Sequence, residues 1–500
     1  MSADVLFVPV LLLYALVIAA LFVYGVHFLQ LTVAALRLGD SSPQAGEPEL
    51  WPITTVQLPI YNELYVARRL IGAVAQLDYP RDRLEIQVLD DSTDETSVIV
   101  AETVARWRAL GVDIAHVRRQ DRVGYKAGAL RHGMVSARGE FLAIFDADFL
   151  PRPDFLRRLL PRLIADPELA FVQARWGHVN RDYSLLTRLQ ALAIDGHFAV
   201  EQAARSGTGR WFNFNGTAGV WRQSAVVDAG GWQNDTLTED LDLSYRAHLA
   251  GWRAAYVQSV EAPAELPVSL SAYRRQQHRW ARGSFECARK HLPAIWRSAA
   301  PWSRKFAATV HLSGYGVQLL LLALSLLFPL LLVVSGQHSA SFALVGLLGV
   351  FNLTSLAPTV MFVAGQRRLR RPWIRQIPVV LLLSPFGAGM MVNTSRAAWH
   401  ALRGRHGAFE RTPKFGVRDR HEDWRGLRYQ LHIDRIVVVE TALAALNAVT
   451  CAAAIERGFW AIAVYAAIFG CGLAAAVIAT LWQSVSLLDR RATRTSEASA

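Results

Sequence analysis

Residues 140–149 read EFLAIFDADF, and this stretch decides the fold class. An apolar run that ends in an Asp-Ala-Asp triplet is typical of a buried strand followed by a polar loop. The same arrangement occurs upstream, where LEIQVL at residues 84–89 is followed by an Asp-Asp pair. Segments with helical periodicity separate these strands, so the sequence predicts an α/β domain with a mostly parallel sheet. Ligands of such sheets bind at the carboxyl ends of the strands, where both acidic pairs stand.

The composition indicates that part of the chain lies in a membrane. The 500 residues are 52% hydrophobic, whereas soluble domains are about 45–50% apolar even with glycine counted. Only 19% are charged, which excludes an intrinsically disordered chain. Two of the three cysteines lie in apolar runs, which excludes a disulfide-stapled secreted module. The sequence also lacks a P-loop, a Gly-x-Gly-x-x-Gly turn, a His-Glu-x-x-His motif and a cysteine pair with zinc spacing.

Uncharged segments flank a soluble middle. Residues 5–36 contain no Asp, Glu, Lys or Arg, and a spanning helix needs about 20 residues. Residues 306–366 are also uncharged and can form two spans around a polar break at 335–339. Two more spans are predicted at 436–455 and 458–488. The sequence thus predicts five spans.

The segment 376–395 decides the topology. It is uncharged but interrupted by prolines and glycines. Arginines follow the first and third spans, are frequent in residues 396–435 and recur in the tail. In membrane proteins, basic residues lie mainly on the cytoplasmic side. If 376–395 is re-entrant or interfacial, all these segments are cytoplasmic, as is the soluble domain; a sixth full span is the alternative. We expect an integral, multi-pass membrane protein.

Two acidic motifs could bind the phosphates of a ligand through a metal ion. Asp146 and Asp148 flank one small residue and can share one Mg²⁺ or Mn²⁺ that neutralises a diphosphate. A solvated turn with a helix cap is the alternative, both for this triplet and for Asp90 and Asp91. Two such clusters at strand ends favour a binding site.

Two further motifs lie towards the end of the soluble middle. Asp240, in a Thr-Glu-Asp triplet, can accept a proton from an attacking hydroxyl or can cap the helix that follows. Gln276, Arg279 and Trp280 lie on a basic, aromatic helix. The arginine can bind a developing phosphate charge and the tryptophan can stack on a sugar, although such a helix can also lie on a membrane surface.

Taken in order, these four motifs resemble those of membrane-bound family 2 glycosyltransferases of the processive type, such as cellulose, mannan and hyaluronan synthases. Longer strings resemble the plant cellulose-synthase-like A and C branch, which comprises glucomannan mannosyltransferases and xyloglucan-backbone glucan synthases. The strings are QLPIYNE (57–63), QVLDDSTD (87–94), GYKAGAL (124–130), FDADF (145–149), VQARW (172–176), FNGTAGVWR (214–222) and QQHRW (276–280).

The resemblance implies a GT-A-type nucleotide-sugar-binding domain at 50–300, inserted between one N-terminal span (5–36) and four or five C-terminal spans (306–488). It implies that Asp240 is the catalytic base and that Asp146 and Asp148 hold Mg²⁺ or Mn²⁺. The implied donor-binding residues are Asp90, Asp91, Lys126, Asp146, Gln276, Arg279 and Lys414. The implied acceptor-binding residues are Asn215, Gly216, Thr217, Glu239 and Trp280.

Residues 409–414 also resemble the gating loop of cellulose synthases, which closes over the nucleotide. The likeness places this loop within the cytoplasmic segment 396–435. The sequence departs from the family pattern at Arg411 and has Pro413 within the motif. These two departures bear on the closing motion, and the position of Lys414 matches the family pattern.

The activity implied by the resemblance is inverting transfer of a hexose from UDP-glucose or GDP-mannose to a growing β-linked, β-1,4 polysaccharide that is exported across the membrane. Transfer of one sugar to a ceramide or diacylglycerol is the alternative. A transporter or scaffold without catalysis is disfavoured because the spans carry few charges, Glu440 near a helix end being the main exception. Nucleic acid is not an expected partner, since the basic residues border the membrane. The composition favours a bacterial plasma membrane, and a plant-type enzyme would lie in the Golgi; accessory subunits cannot be read from the sequence.

Overall fold

The computed structural model describes residues 3–39, 46–335, 352–404, 410–429 and 434–497. The strands are β1 (Thr54–Ile60), β2 (Leu84–Asp90), β3 (Ile114–Arg118), β4 (Phe141–Ile144), β5 (Leu169–His178), β6 (Gly219–Arg222) and β7 (Arg253–Ala264). The helices up to the first C-terminal span are α1 (Ala3–Arg37), α2 (Ala67–Ala75), α3 (Thr96–Ala109), α4 (Tyr125–Met134), α5 (Phe155–Ala165), α6 (Leu185–Gly196), α7 (Ala203–Gly207), α8 (Gln223–Asp228), α9 (Glu239–Leu249), α10 (Leu270–Arg297), α11 (Trp302–Leu312) and α12 (Gly316–Ser335). The remaining helices are α13 (Ala357–Arg368), α14 (Trp373–Leu381), α15 (Leu383–Ala388), α16 (Met391–Leu402), α17 (Ile436–Glu456) and α18 (Trp460–Glu497).

The described strands form one sheet in the order β3-β2-β1-β4-β6-β5-β7. Strand β6 is antiparallel to both of its neighbours, and the other adjacent pairs are parallel. The sheet is therefore mixed, and the prediction of a mostly parallel α/β sheet is confirmed outside β6. Strand β1 lies between β2 and β4, so the two acidic strand ends are separated by one strand.

Each face of the sheet packs against its own layer of helices. Along β4, Phe141 and Ala143 belong to one hydrophobic core, while Leu142 and Ile144 belong to the other. This alternation follows from the two-residue period of a strand, and burial on both faces explains the continuous apolar run. The first core includes side chains of α2, α3 and α5, and the second includes side chains of α4, α8 and α9. The carboxyl ends of the strands are therefore held between two rigid layers.

Among the described residues, four helices are long and apolar enough to cross a membrane. They are Val8–Arg37, Gly316–Val334, Ile436–Glu456 and Trp460–Val485. The span predicted after the break at 335–339 falls largely on residues 336–351, outside the described residues. The segment 376–395 is divided among α14, α15 and α16. The stretches Trp373–Ala388 and Met391–Leu402 bend by 46° at the break between them, and together they are long and apolar enough for one broken span or a re-entrant loop. Whether this segment crosses the membrane stays a prediction.

A buried ion pair joins the α/β domain to a candidate membrane helix. Arg274 of α10 lies 2.6 Å from Glu440 of α17, which is fully buried. The Nδ2 atom of Asn393 in α16 donates to the Arg274 carbonyl at 2.9 Å. Glu440 lies near the start of α17, as the sequence indicates, and α10 brings a counter-charge to it within the protein.

A second junction centres on Asp195, at the end of α6. Its buried carboxylate accepts a hydrogen bond from Arg181 at 2.6 Å and from Gln366 of α13 at 3.0 Å, and it also contacts Arg371. Its other oxygen lies 3.2 Å from His178 Nε2. Burial by itself raises the pKa of Asp195, but the His178 hydrogen bond and the charges of its cationic partners outweigh it, so its pKa lies well below the usual range.

We expect Asp195→Asn to destabilise the protein by about 3 kcal/mol, because it leaves the partly buried guanidinium groups of Arg181 and Arg371 without their buried counter-charge. The measurement is the apparent melting temperature in detergent. Asp182→Asn is the control, since the Asp182 side chain is exposed and lies 3.8 Å from Arg188. Exposed pairs contribute about 0–1 kcal/mol. Equal melting temperatures for the two variants would contradict this prediction.

Candidate active site

A cavity of about 190 Å³ opens at the carboxyl ends of the parallel strands. Its walls come from the segments that follow β1, β2 and β4, from the start of α9, and from α10. Residues of the segment after Glu410 complete the lining. Most residues singled out from the sequence line this one cavity: Asp91, Lys126, Asp146, Asp148, Asn215, Gly216, Glu239, Asp240, Gln276, Arg279, Trp280 and Lys414.

Asp90 is not among the lining residues, and its predicted contact with the nucleoside does not fit this geometry. Its carboxylate is buried and accepts a hydrogen bond from the Ser92 amide at 2.9 Å, while the other oxygen lies 2.9 Å from His116 Nε2. Burial raises its pKa, but these hydrogen bonds outweigh that effect and lower it. Asp90 therefore holds the loop after β2. Asp91 lines the cavity and accepts two hydrogen bonds from Arg119.

Thr217 also differs from its prediction as an acceptor-binding residue. It is fully buried, and its Oγ1 accepts a hydrogen bond from the Asp146 amide at 2.9 Å. The Thr217 side chain thus holds the backbone of the Asp-x-Asp loop from within the protein core. Its position follows from β6, which pairs with β4 directly after this turn.

Both carboxylates of the Asp-x-Asp motif have an ammonium group as a partner. Lys126 Nζ lies 2.5 Å from Asp146 Oδ1 and also donates to the Gly216 carbonyl at 2.8 Å. Lys414 Nζ lies 2.6 Å from Asp148 Oδ2. Neither aspartate caps the helix that follows, because α5 begins after Asp154. The capping alternative for this triplet therefore does not hold.

Asp240 lies in the first turn of α9, in the cavity wall. Its enclosure and the charge of Glu239 together raise its pKa to about 7, with the charge of Lys126 opposing them. Gly216 has φ +78°, and a Cβ atom built there would lie 3.1 Å from Asp240 Oδ2. A glycine at this position thus leaves the carboxylate open to a ligand. A carboxyl with a pKa near neutrality suits a general base.

The Gln-x-x-Arg-Trp motif lies on α10, which begins at a Ser269 cap. Arg279 donates to the Glu410 carbonyl at 3.1 Å. Burial lowers the pKa of its guanidinium, and the charges of Glu239 and Asp146 oppose this. The Trp280 ring lies 6.3 Å from that of Trp176, and both line the cavity. The cavity therefore joins a cationic group to an aromatic wall.

Residues 52–283 match the family described as "Glycosyltransferase like family 2". The match covers the whole described sheet and all four motifs. Glucomannan 4-beta-mannosyltransferase 1 of Oryza sativa subsp. japonica is 48% identical over 263 residues, which are 52% of this chain and 50% of the relative. Glucomannan 4-beta-mannosyltransferase 2 of Arabidopsis thaliana is 48% identical over 252 residues, 50% of this chain and 47% of the relative. The chain spans about half the length of the curated relatives it matches.

A solved structure shares the fold of this domain. It is the mannosyltransferase PcManGT from Pyrobaculum calidifontis in complex with GDP-Man and Mn²⁺. The match covers 79% of this chain and 100% of that chain, with a TM-score of 0.51 and 22% identity. The resemblance to family 2 glycosyltransferases is therefore supported over residues 52–283, and the predicted GT-A fold is confirmed.

The glycosyltransferase domain also uses residues to which the sequence analysis assigned no role. Buried Glu63 lies 2.7 Å from Arg411, and both line the cavity. Burial raises the pKa of Glu63 to about 7, and Arg411 opposes this. Glu265 accepts hydrogen bonds from the Phe415 and Gly416 amides at 2.8 and 2.9 Å. Glu63 ends the string QLPIYNE, which was a signal for its importance; no motif marks Glu265.

These contacts hold the segment 410–416 over the cavity of the glycosyltransferase. Phe409, the first residue of the gating-like motif, lies outside the described residues. Arg411, where the sequence departs from the family pattern, is the residue that pairs with Glu63. The departure therefore adds an ion pair between this segment and the catalytic domain.

Proposed function

We propose that this chain is an inverting hexosyltransferase that moves mannose from GDP-mannose onto a growing β-1,4-linked polysaccharide. This proposal rests on one observation: Asp240, the two Asp-x-Asp carboxylates and the Gln-x-x-Arg-Trp motif all line the same cavity. The names of the relatives, which share 48% identity with this domain, favour mannose as the sugar. UDP-glucose is the donor to compare with it.

In the proposed reaction, the carboxylate of Asp240 accepts the proton of an acceptor hydroxyl, and the hydroxyl oxygen bonds to the anomeric carbon. The bond from that carbon to the diphosphate oxygen breaks on the opposite side, so the configuration inverts. The nucleotide diphosphate leaves with the electron pair of that bond. Arg279 and Lys126 line the same cavity and can stabilise the negative charge that develops on the leaving group.

Asp146 and Asp148 fit a Mg²⁺ or Mn²⁺ ion. Carboxylate oxygens are the hard ligands that these ions prefer, and each of the two carboxylates already attracts an ammonium group. When bound, such an ion supplies positive charge to the diphosphate. We propose that these two aspartates hold it and that Lys126 and Lys414 then turn to the donor.

We expect Lys414→Met to raise the affinity for Mn²⁺ in the absence of donor by about tenfold, because an ammonium group no longer competes for Asp148. The measurement is the electron paramagnetic resonance signal of free Mn²⁺ during titration of the purified protein. Lys305→Met is the control, since Lys305 donates to the Trp296 carbonyl at an exposed site away from the cavity. Unchanged or weaker Mn²⁺ binding in Lys414→Met would rule out this competition.

We also propose that the product leaves between the membrane helices, with the catalytic domain on the cytoplasmic side. The rings of Tyr273 and Phe386 stack 5.1 Å apart where α10 meets α15. Gln318 Oε1 in α12 is buried and has no hydrogen-bond partner in the part of the chain that the structure describes. A buried acceptor of this kind suits a sugar hydroxyl. The basic residues of 396–435 support the orientation.

The test is a radiolabel transfer assay on the purified protein with Mn²⁺ or Mg²⁺, with GDP-mannose and UDP-glucose supplied separately. The proposal predicts a high-molecular-weight product from GDP-mannose that a β-1,4-mannan hydrolase digests. Polymer from UDP-glucose alone would overturn the choice of sugar. Label found only in a small, organic-extractable product would overturn the polymer and indicate a lipid acceptor.

A further inference from the structure

A second cavity, of about 730 Å³, lies outside the active site. Its walls come from the start of α6, from α15, from the last turns of the α18 span and from residues 420–425. The helices contribute mainly apolar side chains, and the 420–425 segment contributes charged ones. Specific ligand pockets have volumes of about 300–1,000 Å³ and combine an apolar wall with a few polar groups. This cavity has both properties.

The mouth of this cavity carries exposed apolar side chains. Leu185, Leu382 and Trp482 line it and are exposed on the protein surface by 53%, 43% and 60%. Trp482 belongs to the predicted membrane span Trp460–Val485, near the end that carries the basic tail. Exposed apolar side chains on a membrane helix contact lipid, so an acyl chain can enter the cavity sideways. The ligand therefore comes from the leaflet next to the catalytic domain.

The charged rim favours an anionic headgroup. Arg420 and Arg425 line the cavity, and the Arg425 guanidinium lies 5.1 Å from the centre of the Trp482 ring. The rim also contains two acids, and each of them accepts a hydrogen bond from a backbone amide of its own loop. Glu422 Oε2 accepts a hydrogen bond from the Arg418 amide at 2.5 Å, and Asp423 Oδ1 accepts one from the Arg425 amide at 3.0 Å. Arg420 also donates from Nε to the Asp182 carbonyl at 2.5 Å, and the two guanidinium groups supply the positive charge of the rim for a phosphate.

We propose that this cavity binds one anionic phospholipid of the adjoining leaflet, with an acyl chain against Leu189, Phe386 and Ala476 and the phosphate at Arg420 and Arg425. Guanidinium groups pair with phosphate oxygens, and basic pockets between membrane helices on the cytoplasmic side suit anionic headgroups. The lipid site rests on the proposed membrane orientation of the chain, and lipid binding can be measured without sugar transfer.

The lipid site is continuous with the segment that covers the active site. Trp424 lines the lipid cavity and belongs to a buried cluster with Val268, Phe415 and Val417. Phe415 directly follows Lys414, which contacts Asp148. A bound lipid therefore stabilises the same arrangement of residues 410–429 that holds Lys414 in the active site.

The experiment is native mass spectrometry of the full-length protein, stripped of lipid in detergent and titrated with phosphatidylglycerol or with phosphatidylcholine of the same acyl chains. We expect one phosphatidylglycerol bound more tightly than phosphatidylcholine. The double variant Arg420→Gln/Arg425→Gln should weaken phosphatidylglycerol binding by about tenfold or more and leave phosphatidylcholine nearly unchanged. Glycerol phosphate, which lacks acyl chains, should not compete.

Two further variants keep the test decisive. Ala479→Trp fills the apolar part of the cavity and should weaken both lipids, while Arg418→Gln removes an exposed arginine of the same segment that does not line the cavity and should weaken neither. Only variants whose melting temperature and gel-filtration elution volume equal those of the wild type are compared. Equal binding of phosphatidylglycerol by the wild type and the arginine double variant would overturn the proposal, as would competition by glycerol phosphate.

Discussion

Replacing Asp240 by asparagine is expected to slow sugar transfer by about 10²–10⁴-fold and to leave donor binding intact. Asparagine has the same shape but cannot accept the proton of the acceptor hydroxyl. Asp240 lies beside Gly216 in the cavity wall, apart from the Asp-x-Asp carboxylates that pair with Lys126 and Lys414. The measurements are the initial rate with labelled donor and the donor affinity by calorimetry.

The control for this variant is Asp228→Asn. Asp228 is exposed at the end of α8 and does not line the cavity. We expect its transfer rate to lie within about twofold of the wild type, since surface substitutions have small effects. Transfer by Asp240→Asn at the wild-type rate would remove Asp240 from the role of base.

The same carboxyl sets a pH dependence. Enclosure in the cavity wall and the charge of Glu239 raise its pKa to about 7, with Lys126 opposing. A base works only when deprotonated, so a raised pKa means that activity is lost as the pH falls. We expect kcat/KM of the free enzyme to be level above about pH 7 and to fall about tenfold per pH unit below it. A profile that stays level down to pH 5.5 would contradict this assignment.

Replacing Arg279 by alanine is expected to lower kcat by about 10²–10³-fold, because the leaving diphosphate loses a cationic partner. The guanidinium lies among the carboxylates of the cavity, whose charges oppose the effect of burial on its pKa. Arg279→Lys retains the charge but not the planar pair of donors, so we expect it to recover only part of the rate. Steady-state kinetics with the labelled donor measure both variants.

Helix α10 provides a matched control one turn earlier. The Arg275 side chain pairs with Glu410 at 2.6 Å near the surface and does not line the cavity. Exposed ion pairs contribute about 0–1 kcal/mol, so Arg275→Ala should change kcat by no more than a few-fold. Equal losses in the two alanine variants would indicate that both act by disturbing the segment after Glu410, and not through the leaving group.

Much of the candidate site could be predicted because its residues follow directly from local sequence. The Asp-x-Asp triplet ends the apolar strand β4, and Asp240 starts the helix α9. Parallel strands have their carboxyl ends at one edge of the sheet. Once the strands are predicted, the acidic motifs that follow them are therefore also predicted to lie close together. The antiparallel β6 was not predicted, since a strand's direction depends on how the chain returns to the sheet.

The sequence by itself determined the α/β alternation, the family, the apolar helices and the motifs that surround the cavity, because short-range periodicity and short motifs encode them. Only the tertiary structure decided which of these residues face the cavity. Asp90 is directed to His116 because β3 pairs beside β2, and Lys414 reaches Asp148 across 266 residues of sequence. Asp195 joins the catalytic domain to Gln366, 171 residues away. Contacts of this kind depend on how whole elements pack, and no local pattern in the sequence records them.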